Sequence, residues 1–200
     1  MSKPLLVGVT GGIGSGKSTV CRILEVLQVP IYYADNRAKI MITEDQELRS
    51  QIIDLFGQNS YHGSQLNRSY LAEKVFNDEQ ELKKMNAVVH PAVAHDFERF
   101  AQSHSENPVL VKEAALLFET GSYQQLNKNI VVIAKKDERI QRVLLRDPQR
   151  ARDQVEAIIA KQTSDHQRTK LADYVIHNDG DQLLIPQVLN IHQQLVSLAG

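Results

Sequence analysis

The octet Gly11-Gly12-Ile13-Gly14-Ser15-Gly16-Lys17-Ser18 constrains this chain more than any other stretch. It satisfies the spacing G-x-x-x-x-G-K-[ST], with Gly11, Gly16, Lys17 and Ser18 at the fixed positions. An apolar, β-rich run from Leu5 to Thr10 precedes it, and a helix-compatible run from Ser18 to Leu27 follows. A chain of this pattern leaves a strand, curls its backbone N–H groups around phosphate oxygens, and enters a helix whose first amides add positive potential at the same place. Lys17 supplies a point charge to β- and γ-phosphates, and the Ser18 hydroxyl is a ligand for Mg²⁺. The plain alternative is a chance Gly-rich turn. Lys17 and Ser18 in register between a strand and a helix argue against it.

Beyond the loop, β-like and helical runs alternate. Val29 to Tyr33 reads as a second strand ending at Ala34-Asp35. Helical sequence then extends from Asn36 to about His104, interrupted by the polar stretch Gly57 to Asn67 and by Pro91, with Asn77-Asp78 as an N-cap ahead of Glu79. Val109 to Val111 and Ile130 to Ile133 are continuous apolar runs, the pattern of strands buried on both faces of a parallel sheet. Charged helical sequence covers Asp137 to Arg146 and Arg152 to Gln162. Tyr174 to Ile176 forms a last short strand before a terminal amphipathic helix. This alternation predicts an α/β fold, a parallel sheet flanked by helices with right-handed crossovers. Ligands of such sheets bind beyond the carboxyl ends of the strands, which nominates the glycine loop, Asp35, Glu113, Ala134 and His177-Asn178.

Composition narrows the partners. Lys+Arg 23 against Asp+Glu 24 gives a formal net charge of −1, without the basic excess of a nucleic-acid binder. The lone Cys21 excludes an intramolecular disulfide and reads as a buried core residue on the helix after the loop. The seven histidines have no zinc-site spacing. No run approaches the roughly 18 apolar residues of a membrane span, and the N-terminal segment lacks the form of a signal peptide. The expectation is a soluble, cytoplasmic protein, monomeric or weakly homo-oligomeric, that binds neither nucleic acid nor membrane.

Among the strand-end residues, Asp35 reads either as a proton acceptor for an attacking hydroxyl or as a helix N-cap. Glu113 and Glu119 bracket Ala114 to Phe118, and Glu113 either holds a water of bound Mg²⁺ or is an exposed loop charge. Lys112 is expected to leave the sheet. Arg139, Arg142 and Arg146 share one helical face at i, i+3 and i+7, which suits a clamp on a transferring phosphoryl group or a solvated surface. His90 before Pro91 reads as local packing or a turn, and His177 as a pocket-lining candidate.

The residues together resemble the dephospho-CoA kinase family. The resemblance rests on Thr10 to Thr19, Ala34-Asp35, Leu66-x-Arg68-x-x-Leu71, His90-Pro91, Leu116-Leu117-x-Glu119, Arg142-x-x-x-Arg146, Gln162, Ala172-Asp173 and Asn178-x-Gly180. It implies a P-loop NTPase core of the nucleoside-monophosphate-kinase kind (about 1–35, 106–136 and 166–200), a helical substrate-binding insert (about 36–105) and a small helical lid (about 137–165). It further implies ATP and Mg²⁺ as co-substrate and cofactor, and the ribose 3′-hydroxyl of dephospho-CoA as acceptor. By the family's motifs, Gly12, Ile13, Gly14, Ser15, Gly16, Lys17, Ser18 and Thr19 hold the ATP phosphates, with Ser18 on Mg²⁺. Asp35 is the general base, Lys17, Arg142 and Arg146 act on the phosphoryl group, and Asn178 lies near the adenine.

Three positions depart from the family's pattern. Tyr33 stands where it has Asp, Ala115 where it has Pro, and His177 where it has Asp. Another small-molecule P-loop kinase, for a nucleoside or nucleotide, shares every feature up to Asp35. A regulatory GTPase would carry Asn-Lys-x-Asp, and Asn127-Lys128-Asn129-Ile130 lacks the Asp.

Overall fold

The computed structural model describes residues 3–76 and 78–200, and the chain divides into two compact units. One takes the chain up to Tyr33 and again Ser103–Gly200; the other is Ala34–Gln102. Asn77, expected to help cap a helix, lies outside the described residues. Among the described residues no helix is long and apolar enough to cross a membrane.

The first unit is built on five parallel strands: β1 (Leu5–Thr10), β2 (Ile31–Tyr33) and, after the helical unit, β5 (Val109–Glu113), β6 (Lys128–Ile133) and β7 (Tyr174–His177). They lie in the order β2-β5-β1-β6-β7, so β1 is central and both its neighbours come later in the chain. Val7 and Val9 of β1, Val109 and Val111 of β5, and Ile130 and Val132 of β6 present one face of the sheet to a single core. Helix α1 (Lys17–Val26) contributes Val20, Cys21 and Leu24 to that core, and α9 (Leu184–Ala199) contributes Val188, Ile191 and Leu195. Burial, reinforced by Glu113 and Glu25, pushes the Cys21 thiol well above its usual range, so it stays a neutral core residue. On the other face Gly8 leaves room for Leu117, Leu126 and Asn129, where a Cβ would collide with all three.

Lys112 corrects its expectation. It stays within β5, facing Gly8 on one side and Tyr32 on the other in register, and is 5% exposed. Its side chain stands off the face shared with Gly8 and Tyr32 and is covered there, and this desolvation lowers the ammonium's pKa.

The second unit holds α2 (Ala34–Glu44), α3 (Gln46–Phe56), a two-stranded hairpin of β3 (Tyr61–His62) and β4 (Gln65–Leu66), α4 (Arg68–Phe76) and α5 (Glu79–Ser103). Asp45 caps α3 by accepting the Leu48 N–H at 2.9 Å, and Gly57 ends it with φ 88. Asp78 caps α5 through the Gln80 N–H at 2.7 Å. Arg37 and Asp96 join α2 to α5 by a bidentate pair at 2.7 and 2.9 Å. The polar stretch Gly57 to Asn67, which interrupts the helical run as expected, contains the hairpin, pinned by the Tyr61 hydroxyl donating to the Ile42 carbonyl at 2.7 Å. Pro91 was expected to interrupt the helical run, yet α5 passes through it, and His90 is therefore helical rather than in a turn. A proline removes one backbone donor, and packing of Val89, Val93 and Phe97 on either side holds the remaining turns.

Candidate active site

Three more helices complete the first unit around the glycine loop: α6 (Lys136–Arg146), α7 (Arg152–Lys161) and α8 (Asp165–Leu171). The expected helices over 137–146 and 152–162 are α6 and α7. The seven-residue α8 went unread, although its capping box, Ser164 with Gln167, is visible in the sequence.

The loop leaves β1 at Thr10 and enters α1 at Lys17, at the carboxyl edge of the sheet. Gly14 and Gly16 hold φ of 77 and 98, conformations that side-chain-bearing residues rarely adopt. Gly14 also lies against the Arg139 backbone, and Gly12 against the Arg139 guanidinium, so neither has space for a Cβ. The Lys17 ammonium folds back to donate to the Gly11 carbonyl at 2.9 Å, inside the turn of the loop. Helix α1 has no acidic residue in its first turn, which leaves its positive end uncancelled. Ser18 and Thr19 are exposed in that turn.

Side chains from three other elements grip the loop from outside. Arg139 Nε donates to the Ile13 carbonyl at 3.0 Å, Gln162 Oε1 accepts the Ile13 N–H at 2.9 Å, and Asn178 Nδ2 donates to the Ser15 carbonyl at 2.8 Å. Behind them is a buried ion-pair network. Arg139 pairs with Asp165 at 3.1 Å, and the fully buried Arg168 pairs with Glu119 at 3.0 Å and Asp165 at 3.3 Å. Burial acts to raise the Glu119 carboxyl, but the backbone N–H groups around it, Thr163's included, and the Arg168 guanidinium outweigh this and hold it below its usual value. Glu119 therefore favours the fold above the ordinary carboxylate range, and that contribution is lost as pH falls through its lowered value.

Arg168→Met is expected to cost about 2 kcal/mol, discounted because Glu119 and Asp165 keep some access to water, and to lower Tm by about 4–8 °C. Thermal melts at neutral pH check this; an unchanged Tm would show that the network contributes no stability.

The three arginines of α6 do not converge. Arg139 is buried against the loop, Arg142 donates to Glu138 at 2.9 Å, and the exposed Arg146 makes a bidentate pair with Asp147 at 3.0 and 2.9 Å. Nη1 of Arg142 is buried with no acceptor among the described residues, as are Nη2 of Arg139 and Oγ of Ser15. Asp35 is the exposed second residue of α2, two residues past the end of β2, and so lies inside the helix rather than at its cap position. Glu113 ends β5 and is buried, not an exposed loop charge. The departure at Tyr33 has a visible use: its hydroxyl donates to Glu25 on α1 at 3.0 Å. Burial and that carboxylate push the phenol up, so it remains a neutral donor. At His177 the backbone is clasped at both its N–H and carbonyl by Gln187 of α9.

A family model described as dephospho-CoA kinase matches residues 5–183. A dephospho-CoA kinase of Salinibacter ruber is 41% identical over 177 residues, covering 87% of this chain and 88% of that one. Among solved structures, a Thermus thermophilus protein superposes with a TM-score of 0.85 at 32% identity, covering 96% of this chain and 97% of its own. The dephospho-CoA kinase from Campylobacter jejuni gives 0.71 at 26% identity, covering 98% of each. With a phosphate loop at the centre of a parallel sheet and a match along almost its whole length, the chain belongs to the dephospho-CoA kinase family.

Proposed function

We infer that this chain transfers the γ-phosphoryl group of ATP to the ribose 3′-hydroxyl of dephospho-CoA, giving ADP and coenzyme A, the final step of coenzyme A synthesis. The observation that carries this reading is the braced loop itself, with Lys17 held inside its turn, in a chain of this family. The ammonium of Lys17 neutralises β- and γ-phosphate oxygens as charge spreads over them in a loose transition state. Asp35 takes the proton released by the attacking hydroxyl. Asn178, just past the end of β7 and tied to the Ser15 carbonyl, lies near the adenine in this reading. The helical unit, Ala34–Gln102, is the acceptor-binding part, and α6 and α7 form the lid.

Mg²⁺ suits the donor set. Ser18 offers a hard hydroxyl oxygen in the first turn of α1, and among the described residues no three His, Cys, Asp or Glu side chains cluster to hold an ion alone. Mg²⁺ is characteristically held by one or two protein oxygens together with substrate phosphates and its own waters. Bound there, it withdraws charge from the phosphates.

Arg142, with its buried unpartnered Nη1, and Arg146 are proposed to contact the transferring group. Arg142→Ala and Arg146→Ala are each expected to lower kcat about tenfold while KM for ATP moves less than about threefold, the signature of contacts made in the transition state. If steady-state kinetics place both variants within about twofold of wild-type kcat, the two residues are surface charge.

The reading as a whole is tested by incubating the purified protein with ATP and dephospho-CoA and identifying the product by mass. Nucleosides and nucleotides serve as competing acceptors. Phosphorylation of one of those, with dephospho-CoA untouched, would replace this reading by the nucleoside-kinase one.

A further inference from the structure

The phosphate loop is held by two consecutive peptide planes. The Gly12–Ile13 plane gives its N–H to Gln162 Oε1 at 2.9 Å, and the Ile13–Gly14 plane offers its carbonyl to Arg139 Nε at 3.0 Å. Gln162 ends α7 and opens the short joint to α8. That joint is itself fixed, because the Thr163 N–H is taken by Glu119 at 3.1 Å and Ser164 caps α8. Arg139 is braced by Asp165, the first residue of α8. The ion-pair network therefore carries its rigidity to the loop through two side chains, and Gln162 is the neutral one.

Glycines on both sides of Ile13 leave these planes intrinsically loose. A loose loop must be ordered when phosphate arrives, at a cost in affinity, whereas a loop fixed beforehand avoids that cost. The Ile13 N–H is also a donor that phosphate oxygens would otherwise contend for. We propose that Gln162 is a positioning residue: by accepting the Ile13 N–H it sets the shape of the phosphate loop before the nucleotide binds. The proposal rests on the nucleotide-site reading of the loop and is independent of which acceptor is phosphorylated.

The test compares Gln162→Met, which keeps the length of the side chain and removes its acceptor, with Gln162→Glu, which keeps an acceptor at the same reach. ADP affinity is measured by calorimetry in high salt, which screens the charge of the glutamate. Q162M is expected to bind ADP about tenfold more weakly and to raise KM for ATP by a similar factor. The loss follows because a loop no longer held through the Ile13 N–H must be ordered as the nucleotide binds. In the same variant KM for dephospho-CoA and saturated kcat are expected within about threefold of wild type, the pattern of altered nucleotide binding rather than altered chemistry. Q162E is expected to recover most of the ADP affinity. ADP binding by Q162M within about twofold of wild type, or an equal loss in Q162E, would overturn the proposal and assign Gln162 to packing. The ADP titration needs no acceptor. A wild-type protein that binds ADP and ignores dephospho-CoA would end the functional reading and leave this one standing.

Discussion

Lys17→Ala is expected to lose at least about a thousandfold in kcat/KM for phosphoryl transfer, the upper part of the range for removing one preorganised charge from a transition state. The ammonium is held inside the loop by the Gly11 carbonyl at 2.9 Å, so its position is set before substrate arrives. Two amides or a hydroxyl cannot replace it, because the charge that develops on a transferring phosphoryl group is spread over three oxygens and calls for a full, compact positive charge. Lys17→Arg is no remedy: a planar guanidinium is too wide for a turn closed by Gly11 and Gly12. The fold should tolerate the loss, since Lys17 is the first residue of α1 and alanine keeps the helical backbone there. Melting temperature, ADP affinity and turnover, measured on one preparation, separate these effects. A folded K17A protein that turns over within about tenfold of wild type would remove Lys17 from the catalytic machinery.

Asp35→Asn is expected to melt close to wild type, bind both substrates, and lose at least about a hundredfold in kcat. Asp35 lies exposed within the first turn of α2, open to an incoming hydroxyl. An amide keeps the shape and cannot take the ribose hydroxyl proton. General-base assistance spans about 10²–10⁴-fold, and the loose transition state places this reaction in the lower half, because the proton leaves late. A purely structural role in the first turn of α2 predicts a nearly silent substitution, since an exposed charge at a helix's positive end contributes only about 0.3–1 kcal/mol. Retention of most of the turnover by D35N would therefore return Asp35 to a role in the helix alone.

What could be read ahead of the structure follows the range of the forces involved. The glycine loop, its flanking strand and helix, and the apolar runs of β5 and β6 are legible because each is written in consecutive residues. The grip on the loop is not. Its bonds join residues 126, 149 and 163 positions apart, and an Arg, a Gln and an Asn carry no local sign that they will meet one peptide segment. Arg139 illustrates this best: grouped by helical spacing with Arg142 and Arg146, it is separated from them by what it packs on. Lys112 was misread for a related reason, since alternation with apolar neighbours says nothing of what covers each face of the strand. Pro91 shows the opposite failing, in which a local rule was trusted where packing in the helical unit decides.

The central place of β1 has a consequence for how the protein comes to life on the ribosome. The strand and its glycine loop emerge early, yet Val9 waits for Glu113 and Ile130 as its sheet neighbours, and the loop's clasps, Gln162 and Asn178, come later still. During most of synthesis the chain therefore displays an apolar strand with both edges open, the condition that invites pairing with other chains. The segment Ala34–Gln102 is a compact unit of its own and is able to form in the meantime. Nucleotide binding then becomes a late acquisition of the nascent chain, so that a fragment ending before α6 would have the sequence of a phosphate loop without any of its three clasps.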